Sequence, residues 1–268
     1  MKKSLFIVSL SLIFIVSIFY LNKNEHKEVM SIDDNTMNIS SDILNDYDDI
    51  IIKHGNSEEK LIALTFDDGP DKDFTPQVLD ILKKNDIKAT FFVVGENVGW
   101  SPEILKREYE EGHAIGNHTF THINVAKRSY GEIDKEISQT QEAVKKVIGE
   151  EPILFRPPYR AISREMCSIA KNKNMNIVLW SNLDPRDWSN PGVDYIVKTI
   201  MDKVENGTII LLHDYNNLRN KKSQTIQAID IIIPRLKEKG YKFVTVPELM
   251  EHMNDKYNIQ NKKEEASN

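Results

Sequence analysis

The sequence predicts an α/β fold in which about seven parallel strands, separated by helices, close into a barrel. Three observations predict it. Apolar runs of strand length alternate with amphipathic helical patterns from Lys60 onward, the sign of a parallel sheet covered by helices on both faces. Nearly every unusual polar cluster stands just after one of those runs, as it does where strands that all point one way end at one mouth. The alternating region spans 58–250 of the 268 residues, a length that one α/β barrel core can use.

The chain opens with Lys2 and Lys3, followed by an uncharged run of 17 residues from Leu5 to Leu21. That length lies between the core of a signal peptide and a membrane span. No Ala-x-Ala cleavage site follows, and no cysteine is available there for a lipid anchor. Residues 1–22 are therefore expected to be a signal anchor with its N-terminus held inside by the two lysines, a cleaved signal peptide being the alternative. Either one places the remainder outside the cytoplasmic membrane. A polar tether over 23–57 comes next, rich in Asn, Asp, Glu, Lys and Ser; within it Asp49–Lys53 could add a stray strand.

The strand-like runs are Leu61–Phe66, Lys88–Val94, His113–Asn117, Ile153–Phe155, Asn176–Trp180, Thr208–Leu212 and Lys242–Val246. The clearest helix lies over Glu132–Ile148, where Ile133, Ile137, Thr140, Val144 and Val147 share one face. Gly149 stands where a C-terminal cap is expected. Ile226, Ile229, Ile233 and Leu236 repeat the pattern before Gly240. A polar tail occupies 251–268. The net charge of −6 argues against nucleic acid as a partner. A lone cysteine, Cys167, excludes an intrachain disulfide scaffold and a Cys-cluster zinc site. It falls in a helical stretch and reads as a small buried residue. Trp100, ahead of a helix start at Ser101-Pro102, reads as a packing residue, with lining a sugar groove as the alternative, and His113, at a strand entrance, as structural.

The polar clusters carry the chemistry. Asp67 and Asp68 leave the first strand in opposite directions, so one carboxylate can hold a metal while its neighbour reaches water or substrate; alone, the pair could equally be a surface turn. His118 and His122 are four residues apart, expected on one side of a helical turn, a good ligand spacing. With Asp68 they make a set of three that leaves open positions for a catalytic site. Zinc is the default metal, and cobalt, manganese, nickel or iron suit the same ligands. His213 ends a continuous apolar strand at the mouth, where it can serve as a general acid.

Five blocks, TFDDGP at 65–70, HTFTH at 118–122, RPPY at 156–159, DPRDW at 184–188 and LLHD at 211–214, together resemble the polysaccharide deacetylase (NodB-homology) family, the fourth carbohydrate esterase family. The resemblance implies a distorted (β/α) barrel and a catalytic domain over 58–250. It further implies that Asp68, His118 and His122 hold one divalent metal and that Asp67 is the general base toward a water the metal acidifies. The backbone N–H of Tyr159 would stabilise the oxyanion, and His213 would protonate the departing amine. Asp187 would support the His213 imidazolium and Arg156 would orient Asp67. Trp188 and Leu211 would wall the acetyl methyl. Asp184 opens its block without an assigned role. For Arg156, Asp187 and Trp188 a buried ion pair beside a packed indole would call for the same residue types.

The expected activity is metal-dependent removal of acetyl groups from N-acetylglucosamine units of an extracellular polymer, peptidoglycan first, leaving free amines. Chitooligosaccharides, an exported poly-N-acetylglucosamine and O-acetyl xylan are alternatives with the same chemistry. A non-catalytic wall-glycan-binding module is the alternative of a different class.

Overall fold

The computed structural model describes residues 41–215 and 223–253; the expected signal anchor lies outside the described residues, as does most of the expected tail. Among the described residues the eight strands are β1 (Ile51–Ile52), β2 (Leu61–Asp67), β3 (Thr90–Val93), β4 (Ala114–Asn117), β5 (Leu154–Phe155), β6 (Asn176–Val178), β7 (Ile209–His213) and β8 (Lys242–Val244). All pairings are parallel, in the order β1-β6-β5-β4-β3-β2-β7. β8 pairs with the entry half of β2. Between β1 and β7, the two ends of that order, no ladder forms among the described residues, and single bonds bridge the gap: Ser181 N–H, after β6, donates to Ile209 O, and Gly55 N–H, after β1, donates to Gly207 O ahead of β7. The barrel is distorted for this reason.

The helices are α1 (Ser41–Asp46), α2 (Thr75–Lys84), α3 (Gly95–Trp100), α4 (Pro102–Glu110), α5 (Tyr130–Ile148), α6 (Arg164–Asn172), α7 (Val193–Lys203) and α8 (Gln224–Glu238). The signals read in the sequence form α5. Ser129 and Glu132 make a reciprocal capping box at its start, and Gly149 closes it in the left-handed region at φ 85°. Ile133, Ile137, Thr140 and Val144 are buried on one face.

The period of two along β2 sorts its side chains. Ile62, Leu64 and Phe66 face outward into a core shared with Val78, Leu79 and Leu82 of α2 and Ile229, Ile232 and Ile233 of α8. Leu61 and Ala63 join Ile209, Phe92, Leu154 and Val178 in a second cluster inside the barrel. Each such buried aliphatic side chain contributes about 1.5–3 kcal/mol. Val246 and Leu249, on a closing helical segment over 246–253, plug the strand entrances. The polar positions Thr65 and Asp67 continue the inward row toward the opposite end, the mouth.

Two expectations are corrected. The tether assigned to 23–57 contains α1, and the stray strand anticipated within Asp49–Lys53 is β1, a member of the main sheet; Ile51 is buried and pairs with Ile177, and Ile43, Leu44 and Tyr47 pack on the same cluster. The fold therefore reaches back at least to Ser41, because a short apolar patch there completes one edge of the sheet. Trp100 is 72% exposed and does not pack. Cys167 and His113 are buried as expected. Burial pushes the Cys167 thiol up to about 12, which leaves it inert as a nucleophile.

Candidate metal centre and active site

Asp67 is the last residue of β2, and in register it pairs with His213, the last of β7. The two side chains thus stand level on neighbouring strands, both on the inward face. Asp67 is buried, and its Oδ1 accepts from Nη1 of Arg156 at 2.6 Å. Arg156 follows β5 and is completely buried. Its Nη1 also donates to Thr65 Oγ1 at 2.8 Å, its Nε donates to Val178 O at 3.1 Å, and its guanidinium lies 4.0 Å over the Phe92 ring. Hydrogen bonds from two strands, β2 and β6, and a ring face on a third, β3, therefore fix the arginine that fixes Asp67.

Asp68 sits one residue beyond the strand, in the left-handed region at φ 77°, an uncommon conformation for a residue with a Cβ. It turns the carboxylate away from Asp67 toward the histidines. Its Oδ1 lies 3.5 Å from Nε2 of His118 and 3.2 Å from Nε2 of His122. Burial alone would raise this carboxyl; the approach of His122 and the charges of His213 and His118 reverse that and hold it well below the usual carboxylate range.

The expected helical turn for His118 and His122 is not formed. Residues 118–122 are a loop, with Thr119 at φ 66° and His122 at φ 56°. These left-handed residues fold the chain back so that the two rings come within 5.1 Å, centre to centre. Glu136 of α5 holds the loop, accepting from the N–H groups of Phe120 and Thr121 and from Thr121 Oγ1. Asn117 adds a bond from Thr119 N–H to its Oδ1.

The donor set fits a divalent metal. One ligand atom each from Asp68, His118 and His122 lies within 4.8 Å of the others. Oδ1 of Asp68 is buried without a hydrogen-bond partner, a state that costs free energy unless something else binds it. Nδ1 of His118 is 2.7 Å from Arg156 O. A carbonyl oxygen only accepts, so Nδ1 carries the proton. Burial depresses the His118 imidazole further, which keeps it neutral with a lone pair on Nε2. A ligating histidine is held in this way.

His213 and Asp187 form the other wall. Nδ1–H of His213 donates to Asp187 Oδ1 at 2.8 Å, while Asp187 Oδ2 accepts from His213 N–H at 2.9 Å and from Thr225 Oγ1 at 2.7 Å. Burial would lower the His213 pKa, but the charge and hydrogen bond of Asp187, with Asp68 and Asp67 beyond, raise it to about 10. Leu211 lies two residues back on the same inward face and is buried. Trp188, next to Asp187, is 51% exposed at the mouth. Tyr159, at φ 59°, is 54% exposed, and its ring meets the edge of His122 at 4.8 Å. Asp184 accepts from the N–H of Arg186 and shapes the loop.

Every site residue expected from the sequence lies at the mouth. Sequence reasoning missed Asn97, Thr65 and Asp214. Asn97 Nδ2 donates to Asp68 O at 2.6 Å, and Asp214, quoted only as part of a block, is buried against the Asp67–Gly69 turn, where burial raises its carboxyl to about 7. Its place directly after His213 at a strand end was the available signal.

The sequence model described as polysaccharide deacetylase matches residues 54–178. A peptidoglycan-N-acetylglucosamine deacetylase of Bacillus cereus is 44% identical over 197 residues, covering 73% of this chain and 91% of that protein. The peptidoglycan-N-acetylmuramic acid deacetylase PdaC of Bacillus subtilis is 41% identical, covering 72% of this chain and 39% of its own. Among solved structures, the Bc1960 peptidoglycan N-acetylglucosamine deacetylase superposes with a TM-score of 0.73 at 39% identity, over 77% of this chain and 94% of that one. With likeness of this extent running through the barrel and its mouth, the chain belongs to the polysaccharide deacetylase family.

Proposed function

We propose that the protein hydrolyses N-acetyl groups of N-acetylglucosamine units in peptidoglycan, releasing acetate and leaving free amines. The observation that carries this reading is the three-residue ligand set of Asp68, His118 and His122 standing between two buried acid–base pairs, Asp67–Arg156 and Asp187–His213.

Asp68, His118 and His122 would hold one divalent cation, zinc by default. When bound, such an ion acidifies a water and polarises the acetyl carbonyl. The chain supplies the rest. Arg156 occupies Oδ1 of Asp67, so Oδ2, 3.6 Å from His118 Nε2, is the oxygen left to take the proton of the attacking water. Asp187 occupies Nδ1 of His213, so Nε2 is the atom that delivers a proton to the amide nitrogen as the C–N bond breaks. An amine leaves poorly without that proton. The backbone N–H of Tyr159 would meet the oxygen that gains charge. Leu211 and Trp188 offer apolar surface to the acetyl methyl.

The N-terminal apolar run behind Lys2 and Lys3 supports a membrane anchor with the barrel outside, facing the wall. Fractionation with protease treatment of intact cells tests this placement; a cytoplasmic, protease-protected protein would refute it. The activity is tested by acetate release from purified peptidoglycan, chitooligosaccharides and acetylated xylan. Release should be greatest from peptidoglycan, vanish with a chelator and return with zinc or cobalt. Fragment analysis should place the free amine on glucosamine rather than muramic acid. Glycan binding without acetate release would make the protein a wall-binding module instead.

A further inference from the structure

We propose that Asp214 is a positioning residue for the metal centre: it clamps the backbone on both sides of Asp68 and so aims that ligand. The proposal rests on the metal-centre reading above.

Asp68 holds a left-handed backbone, which persists in a residue with a Cβ only when its surroundings over-determine it. The hydrogen bonds around it show what does so. The peptide unit that joins Asp68 to Gly69 is held at both polar ends. Its carbonyl accepts from Asn97 Nδ2 at 2.6 Å, and its N–H donates to Asp214 Oδ1 at 3.1 Å. The preceding unit is held too, because Asp214 N–H donates to Asp67 O at 3.3 Å. The second carboxylate oxygen of Asp214 accepts from Thr75 Oγ1 at 2.5 Å, at the first residue of α2. One buried residue thus ties the end of β7 to both peptide units flanking Asp68: its backbone N–H holds the carbonyl of Asp67, and its carboxylate holds Gly69 N–H and the start of the next helix.

The consequence is directional. Oδ1 of Asp68 reaches the two imidazoles only while those peptide planes keep their orientation. Rotation about the Asp68 backbone would swing the ligand out of the set. Gly69 bears the imprint of the same contact. Its φ is not in the left-handed range, yet a Cβ built there would stand 2.2 Å from Oδ2 of Asp214. What keeps a side chain out of position 69 is the Asp214 carboxylate, and not the local backbone conformation.

The test uses the full chain with zinc and with cobalt. Groups that orient metal ligands typically carry 10- to 100-fold in affinity, so Asp214→Ala should weaken zinc binding by about that factor, read by chelator competition. The visible absorption of the cobalt-loaded protein should change as well. Asp214→Asn can still accept from Gly69 N–H and donate to Thr75 Oγ1, and should stay within about threefold of wild type. Gly69→Ala should weaken binding in the wild-type background and add nothing once Asp214 is alanine. Asn97→Ala, which frees the other end of the same peptide unit, should weaken binding on its own if Asp214→Ala fails to fold. Wild-type zinc affinity and cobalt absorption in a folded Asp214→Ala, or in Asn97→Ala, would overturn the proposal. A wild-type protein that binds zinc but releases no acetate removes the deacetylase reading and leaves these measurements decisive; one that binds no zinc removes both.

Discussion

Asp187 grips His213 twice, taking a bond from its Nδ1–H at 2.8 Å and another from its backbone N–H at 2.9 Å. The carboxylate fixes the ring's orientation and its charge together. The imidazole is held at about 10, against burial, by Asp187 first and then by Asp68 and Asp67. A raised folded pKa adds stability that is complete below the unfolded value of 6.5 and is lost as pH rises through about 10. Asp187→Asn should therefore lower the pKa of His213, seen as an earlier titration of its ring protons by NMR, and narrow the alkaline arm of kcat/KM. A ring that titrates as in wild type would remove Asp187 from this role.

Asp67 and the ligand histidines should separate in their effects. Asp67→Asn keeps Asp68, His118 and His122 in place, so metal content should hold while turnover falls by about 10²–10⁴, the range of a lost general base. His118→Ala removes a proposed ligand whose Nδ1 is anchored on Arg156 O and should lose both metal and turnover. Acetate release measured beside metal content on the same samples checks the pair.

Arg156 tests the support beneath the base. Its removal leaves the Asp67 carboxylate buried without a counter-charge, so Arg156→Ala should cost about 3–5 kcal/mol of stability by chemical denaturation. Arg156→Lys keeps the charge but cannot reach Thr65 Oγ1, Asp67 Oδ1 and Val178 O at once. Turnover should drop with zinc affinity unchanged. Equal turnover in the lysine variant would show that charge alone is needed.

The mouth was legible in the sequence because parallel strands put their C-terminal ends together, so Asp67, His118, Arg156 and His213 could be grouped from position alone. The spacing of His118 and His122 does bring the two rings together, but not by the local structure expected. A loop with two left-handed residues makes it, and Glu136 holds that loop from the middle of α5. Nothing in the sequence distinguishes Glu136 from the solvent-facing acids of the same helix. α1 was hidden inside polar surroundings, whereas β1 showed as the short apolar patch within Asp49–Lys53, too brief to have a period that fixes its place in the sheet. Asn97 acts through a side-chain bond to a backbone carbonyl far off in sequence, and such bonds leave no spacing signal.

Glu108 is a position outside the mouth where the core departs from apolar packing. It faces inward from α4, is completely buried, and neither carboxylate oxygen has a hydrogen-bond partner among the described residues. Burial, with Asp214 beyond, raises its pKa well above the usual carboxylate value. The folded protein then binds a proton that the unfolded chain releases near pH 4.5, so this group makes stability fall as pH rises above that value. Glu108→Met keeps the length of the side chain and removes the unsatisfied oxygens. It should stabilise the protein by about 1–3 kcal/mol at neutral pH, and by less at pH 4.5, where the penalty is absent. Denaturant titrations at pH 4.5 and pH 7.5 read the difference directly. If the variant is instead destabilised equally at both values, the Glu108 carboxyl has a partner that stabilises it in both protonation states, and its burial is no longer a cost to the fold.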